Sequence, residues 1–220
     1  MLPMGYFLCW PDLWWKASPG ARLMHVLVLF AHPRRQSFTG ELADAFCEGL
    51  QRAGHSVEFA DLYLEGFDPL LDDEQFGLET AMDPEGPRPA DVQAQQARLE
   101  RAEGLVFVYP FWWSDVPALL KGWFDRVWSY GYAYAYEADL SRSTRLKIRK
   151  ALALCPAGHT DEKLDALGLR EAHHRVMVED RLLGVGIPEA RLALLGGLSG
   201  NPPEVRQSLL RQARTLGEEF

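Results

Sequence analysis

Three short stretches and a tyrosine repeat hold the side chains able to bind a ring or move a proton. In PFWWSDVP, residues 110–117, Phe111, Trp112 and Trp113 stand side by side between two prolines. Flat apolar rings, two of them with an indole N–H, suit the face and edge of a planar heterocycle, and they suit core or dimer packing equally well. Trp123, Phe124 and Trp128 recur at helical spacing further on, where burial is the expectation. In AHPRRQSFTG, residues 31–40, His32, Ser37 and Thr39 precede a helical pattern whose first amides would point back at the loop. That arrangement favours an anion such as phosphate, although a Ser/Thr turn also serves as a plain N-cap. The loop has neither the G-x-G-x-x-G of a dinucleotide fold nor the G-K-[ST] of an NTPase. Arg34 and Arg35 can meet an additional phosphate there or lie solvated beside the turn. CPAGHT, residues 155–160, offers Cys155, His159 and Thr160 around Gly158. A cysteine near a histidine is the chemistry of a nucleophile and base, but Cys155 ends an apolar run with no activating cluster, so an inert thiol is expected.

GYAYAYEADL, residues 131–140, alternates tyrosines with alanines, and Tyr132, Tyr134 and Tyr136 on one face would line a pocket or an interface. His173 and His174 are adjacent and so point apart on a helix, which argues against shared metal binding and suggests a solvated face.

The elements that must position these loops are short. HVLVLFA (25–31), HSVEFADLY (55–63), GLVFVYP (104–110), ALALC (151–155) and RLALLGG (191–197) read as five strands. Continuous apolar runs of this kind predict strands buried on both faces, hence a parallel sheet covered by helices. Helical patterns lie between them at residues 39–54, around AQQARLERAEG, after Pro117, over roughly 161–184 and from PPEVRQ to the end. Residues 66–92, rich in Pro, Gly and Asp, predict a long excursion, and Asp115 is placed to cap the helix that holds Pro117 in its first turn. The result is an α/β doubly wound five-stranded parallel sheet with helices on both faces. In such folds ligands sit outside the carboxyl ends of the strands, where the loops after strands one, three and four are the ones singled out above.

With 220 residues, 47% hydrophobic and 25% charged, the chain has the composition of one soluble domain, expected over 24–220. A formal net charge of -8 argues against nucleic acid as a partner, because phosphate backbones require clustered cations. Cys9, Cys47 and Cys155 are far apart and lack metal-ligand spacing, which favours free thiols in the cytoplasm and no metal site. Residues 1–23, with Trp10, Trp14 and Trp15, make a poor signal peptide and are too short and interrupted to span a bilayer. They are expected to be an appendage, or a misassigned start.

Taken together, FAHPRRQSFTGELADAF, DLYLEGFDPLLDDEQF, AQQARLERAEGLVFVYPFWWSDVPALLKGWFDRVW and GYAYAY resemble the NAD(P)H:quinone oxidoreductase family of flavodoxin-like flavoproteins. The string P-x-x-W-x-x-x-P-A-x-L-K-G-W-F-[DE]-R-V is the most specific part of that likeness, which runs from about residue 25 to 136 and more weakly to the end. The resemblance implies a flavodoxin-like fold and a flavin, FAD or FMN with FAD slightly favoured, reduced by NAD(P)H and reoxidised by a quinone-like acceptor in ping-pong fashion. It implies that His32, Ser37, Phe38 and Thr39 hold the flavin phosphate and ribityl chain. Pro110, Phe111, Trp112, Trp113 and Ser114 would lie beside the isoalloxazine ring, with backbone amides at its N5 and O4 edge. Cys155, Pro156, Ala157 and Gly158 would lie near its N1 and O2 edge. Tyr134 and Tyr136 would roof the acceptor pocket across the interface of a homodimer. The chain departs from animal quinone reductases in having CPAGHTDEKLDALG where they carry Thr-Thr-Gly-Gly followed by a Tyr and a His, so His159 is the expected substitute donor. Relatives of this kind also include azo and nitro reductases and ancillary flavoproteins that regulate potassium-efflux transporters, which leaves a peripheral transporter contact as the alternative reading. An electron carrier like flavodoxin is disfavoured, since the tyrosines and the long excursion would close a pocket that a carrier leaves open.

Overall fold

Val26, Leu27, Val28, Leu29 and Phe30 are all fully buried, so β1 (His25–Phe30) is covered on both faces. A computed structural model describes residues 22–139 and 141–220. The appendage expected at 1–23 lies outside the described residues except for Arg22 and Leu23.

β1 sits inside a five-stranded sheet with β2 (Ser56–Asp61), β3 (Gly104–Val108), β6 (Lys150–Pro156) and β7 (Glu189–Leu195), in the order β2-β1-β3-β6-β7 with every pair parallel. Side chains alternate between two cores with the period of a strand. Leu27, Leu29, Leu105, Phe107, Ala151 and Ala153 face one layer, while Val26, Val28, Phe30, Val106, Val108, Leu152 and Leu154 face the other. The first layer is covered by α3 (Ala90–Arg101), α4 (Ala118–Val127) and the segment from 161 to 187; the second by α1 (Phe38–Arg52) and α7 (Pro203–Glu218). Each large side chain fully buried this way contributes about 1.5–3 kcal/mol, and that gain is available only with helices on both faces. The five strands expected from the apolar runs are the five strands of this sheet.

Three expectations need correcting. The excursion over 66–92 contains a helix, α2 (Asp73–Thr80), whose N-cap Asp72 accepts from Gln75 N at 2.7 Å. Asp115 does not cap α4. Pro117, with ψ of 150°, keeps the backbone extended until Ala118, so the Asp115 carboxylate is too early to reach the helix amides and binds Val116 N and Arg181 instead. The single helical region expected over 161–184 is broken by Gly168 at φ 68° into α5 (Asp161–Ala166) and α6 (Leu169–His173). α6 runs into a π-helix (His174–Leu182) and a short 3-10 turn (Leu183–Val185). The three tyrosines do line one pocket together, with Tyr130 and Pro84, but at different depths. Tyr132 is buried with its hydroxyl donating to Gln96 O at 2.9 Å, and only Tyr134 and Tyr136 lead into the small hairpin of β4 (Ala135–Tyr136) and β5 (Arg142–Ser143).

Candidate functional site

β1 and β3 are neighbours, and the chain leaves β1 toward β2 on one side while β3 leads to β6 on the other. This reversal opens a crevice at the carboxyl ends, the place where doubly wound sheets bind ligands. The three loops named above meet there. Phe111 N donates to Pro156 O at 3.0 Å, and the His32 and Trp112 rings lie 5.4 Å apart between centroids.

On the first loop, Ser37 is the N-cap of α1, its side chain accepting from Gly40 N at 3.2 Å while its carbonyl accepts from Glu41 N. The plain-cap reading is therefore satisfied, yet it accounts for only part of the helix end. Among the described residues the Phe38 and Thr39 amides have no protein partner, and unpaired amides at a helix start favour an anion. Gly40 is required here because a Cβ would collide with Arg35 O. Arg35 itself is not a solvated arginine: its guanidinium pairs with Asp44 and lies over the rings of Phe30 and Phe59, at 5.4 and 5.0 Å. Arg34 remains exposed. Burial lowers the His32 pKa, partly offset by the Arg34 carbonyl 2.8 Å from Nδ1.

The second loop is a tight turn. Trp112 N donates to Asp115 O and Asp115 N to Trp112 O, at 3.2 and 3.1 Å, and the two central residues have positive φ, 50° at Trp113 and 65° at Ser114. Those are the φ signs of a type I′ turn, a geometry that normally selects Asn and Gly. For residues bearing a Cβ the left-handed conformation costs about 1–2 kcal/mol each. The three aromatics separate accordingly. Phe111 packs inward, Trp112 leans toward His32, and Trp113 stands free of its own chain at 101% relative exposure. Because Phe111 N serves Pro156 and Trp112 N serves Asp115, the amides of this turn left without a partner among the described residues are those of Trp113 and Ser114. Pro110 is buried behind them.

The third loop is tied to the chain after β7: Ala157 N donates to Leu195 O at 2.8 Å, and Gly197 N to His159 O at 2.7 Å. Pro156 and Ala157 are buried while Gly158 and His159 are exposed at the rim. Cys155 is fully buried, and that burial pushes its pKa up to about 12. The thiol is inert, as the apolar run suggested, and Cys155 can offer a ligand in the crevice nothing but backbone.

Tyr134 and Tyr136 stand elsewhere. Tyr130, Tyr134 and Tyr136 form a chain of edge-to-face contacts at 5.7 and 6.1 Å, and the last two line a surface hollow with Phe124, Trp128, Arg142 and Arg181. None of His32, Phe111, Trp112, Trp113, Ser114 or His159 lines that hollow. Arg181, which lines the hollow beside Tyr134 and Tyr136, links it to the second loop by its contact with Asp115.

Reading the sequence missed the groups beneath the second loop. His173, expected on a solvated helix face, is 3% exposed. Its Nε2 shares a 2.7 Å hydrogen bond with the Tyr109 hydroxyl, and its ring lies edge-on to Phe111 at 4.9 Å. Burial lowers its pKa to about 4, so it is neutral. Arg181 lies 3.3 Å from Asp115 and over the Phe124 ring. Burial would raise the Asp115 carboxyl, but the Val116 amide and the Arg181 guanidinium together hold it below the usual range. No local spacing links residues 109, 115, 173 and 181; the doubled histidine was the one available signal.

A five-stranded doubly wound parallel sheet, with an unpaired helix start among the loops that meet at its switch point, defines a doubly wound α/β protein of the kind that binds ligands at that point. The flavodoxin-like fold family matches residues 24–215. A solved NAD(P)H:quinone oxidoreductase from Methanothermobacter marburgensis is 47% identical, covers 90% of this chain and 96% of its own, and superposes with a TM-score of 0.85. NAD(P)H dehydrogenase [quinone] 1 of Cavia porcellus is 29% identical over 86% of this chain and 74% of its own length. An NAD(P)H oxidoreductase of Haemophilus influenzae is 30% identical over 86% and 92%. The chain belongs to the flavodoxin-like fold family and, within it, to the NAD(P)H:quinone oxidoreductases.

Proposed function

We propose that the protein is a flavin-dependent NAD(P)H:quinone oxidoreductase that reduces quinones or related electron-poor acceptors by two electrons. The observation that carries this reading is the pairing of two unpartnered donor sets across one crevice, the Phe38 and Thr39 amides at the start of α1 and the Trp113 and Ser114 amides on the turn after β3. It is supported by the likeness to the quinone reductase of Methanothermobacter marburgensis. When bound, a flavin supplies hydride chemistry between nicotinamide and acceptor. The residues present fit such a group. The α1 amides, with Ser37 and neutral His32, suit its phosphate and ribityl chain, while the Trp113 and Ser114 amides suit the electron-rich edge of its ring system. Phe111, Trp112 and Trp113 supply apolar surface on that side, and Pro156, Ala157 and Gly158 bring backbone to the other.

No buried acid or nucleophile faces the crevice from the three loops, in keeping with a protein that binds, orients and excludes water rather than transferring protons itself. His159, exposed at the rim, is the donor proposed for the pyrimidine edge. Tyr134 and Tyr136 line a hollow that includes none of the loop residues named above, and in this reading a second copy supplies the tyrosines that roof the acceptor pocket. FMN and FAD both fit the groups described.

The test is to extract the yellow cofactor from the purified protein, identify it as FMN or FAD by chromatography, and measure quinone-dependent NAD(P)H oxidation, with azo and nitro compounds included as acceptors. Parallel lines in double-reciprocal plots are expected, since one pocket serves donor and acceptor alternately. A colourless protein that takes up neither flavin would overturn the reading, and a stable transporter complex with negligible turnover would favour a regulatory role. If His159→Ala leaves both half-reactions and the flavin potential unchanged, His159 is not the donor.

A further inference from the structure

The turn over 112–115 holds two Cβ-bearing residues in left-handed conformations at the mouth of the crevice, and strain of this kind persists only where surrounding contacts over-determine it. Its own ladder is two hydrogen bonds, both between Trp112 and Asp115. Trp112 also meets the His32 ring and the Phe111 amide binds Pro156 O, and two further contacts come from one distant element. At the start of the π-helix, His173 is wedged under Phe111 and bonded to Tyr109, so the residues just before the turn cannot shift without breaking a buried hydrogen bond. At its far end, Arg181 binds the carboxylate of Asp115, the residue that closes the turn. Arg181 is itself fixed, 13% exposed, with its guanidinium over Phe124. A nine-residue π-helix is rare, and such segments concentrate at functional sites.

We infer that His173, just before the π-helix, and Arg181, in its last turn, are positioning residues that clamp the turn over 112–115 in the one form that presents the Trp113 and Ser114 amides to the crevice. The clamp deepens, and rests on, the flavin-binding function proposed above. Both act through Phe111 and Asp115. The π-helix is then a strut for ligand binding rather than a piece of surface helix.

The decisive experiment uses the full-length protein freed of flavin, with hydrogen–deuterium exchange across 109–116 and FMN titration followed by fluorescence. Arg181→Met and His173→Phe are expected to speed exchange at Trp112 and Asp115 by about tenfold while the sheet amides keep their protection, because a local opening is being eased. FMN affinity is expected to fall by about tenfold as well, the equivalent of ~1.4 kcal/mol. His173→Gln, which keeps a hydrogen bond to Tyr109, should restore most of the protection that His173→Phe loses. If Arg181→Met fails to fold, Asp115→Ala removes the same contact from its more exposed side and must give the same local signature. The clamp is overturned if folded variants exchange like the parent over 112–115, or if protection falls uniformly through the sheet. Should the parent protein bind no flavin at all, the functional reading fails, while the exchange measurement still decides the clamp.

Discussion

At Ser114, a φ of 65° sets a side chain against the backbone conformation it must adopt, and glycine removes that conflict. Ser114→Gly is expected to raise stability by about 1 kcal/mol, the cost of one left-handed residue less the added freedom of the unfolded chain. In a domain of this size that is a rise in Tm of about 2–4 °C, read by calorimetry. An unchanged or lowered Tm would show that the conformation is not strained. His173 gives a pH dependence. It titrates at about 4 when folded, against an ordinary value of 6.5, because burial outweighs the attraction of Asp115, while Arg181 opposes the proton further. Between those values the unfolded chain binds a proton that the folded chain refuses, so this stabilisation is complete above pH 6.5 and is lost as pH falls toward 4. The loss approaches about 1.4 kcal/mol per pH unit inside that window at most. Denaturant titrations at several pH values should show a shallower acid decline for His173→Gln than for the parent; equal slopes would rule the histidine out as the source.

The elements were legible from the sequence to the degree that an apolar pattern built them. β1, β3 and β6 are runs of Val, Leu and Ala buried on both faces, and no other structure uses such short runs so economically. α2 was invisible for the converse reason. In DEQFGLET the side chain that is buried is Gln75, while Phe76 is 54% exposed, so no apolar stripe marks a helix. What pins α2 is polar. Gln75 Nε2 donates to Arg126 O at 2.9 Å and Gln75 Oε1 accepts from Arg126 Nε at 2.8 Å. Arg126 also forks onto Asp91, at 2.5 and 3.0 Å, and donates to Asp68 O at 2.6 Å. Gly122 completes the docking, since a Cβ there would overlap Pro69. Arg126→Met keeps much of the volume but strands Gln75, Asp91 and the Asp68 carbonyl, and should cost roughly 2–4 kcal/mol. Limited proteolysis should then cut between residues 66 and 89 before the sheet opens. A protease map identical to the parent's would mean that the excursion is held by its apolar contacts alone.

For the molecule as a whole, the placement of Tyr134 and Tyr136 in a hollow that none of the loop residues lines makes a concrete demand. If a second copy supplies them, light scattering should report twice the mass of one chain. Tyr136→Ala should raise KM for the quinone several-fold while leaving flavin affinity unchanged, because in this reading the residue covers the acceptor and not the cofactor. A protein that is monomeric at every working concentration and fully active would sink the shared-site arrangement.

The sequence by itself determined the sheet, its helical layers, the three loops at its carboxyl end and the family likeness, because each depends on near neighbours along the chain: a strand's apolar run, a Ser at a helix start, a Pro that stops one. Tertiary structure alone decided which backbone amides remain free in those loops, that Arg35 lies over Phe59 of the neighbouring strand, that Cys155 is buried, and that His173 lies under Phe111. Those facts depend on partners that other elements bring within reach, and a contact is made through space whatever the order of the chain.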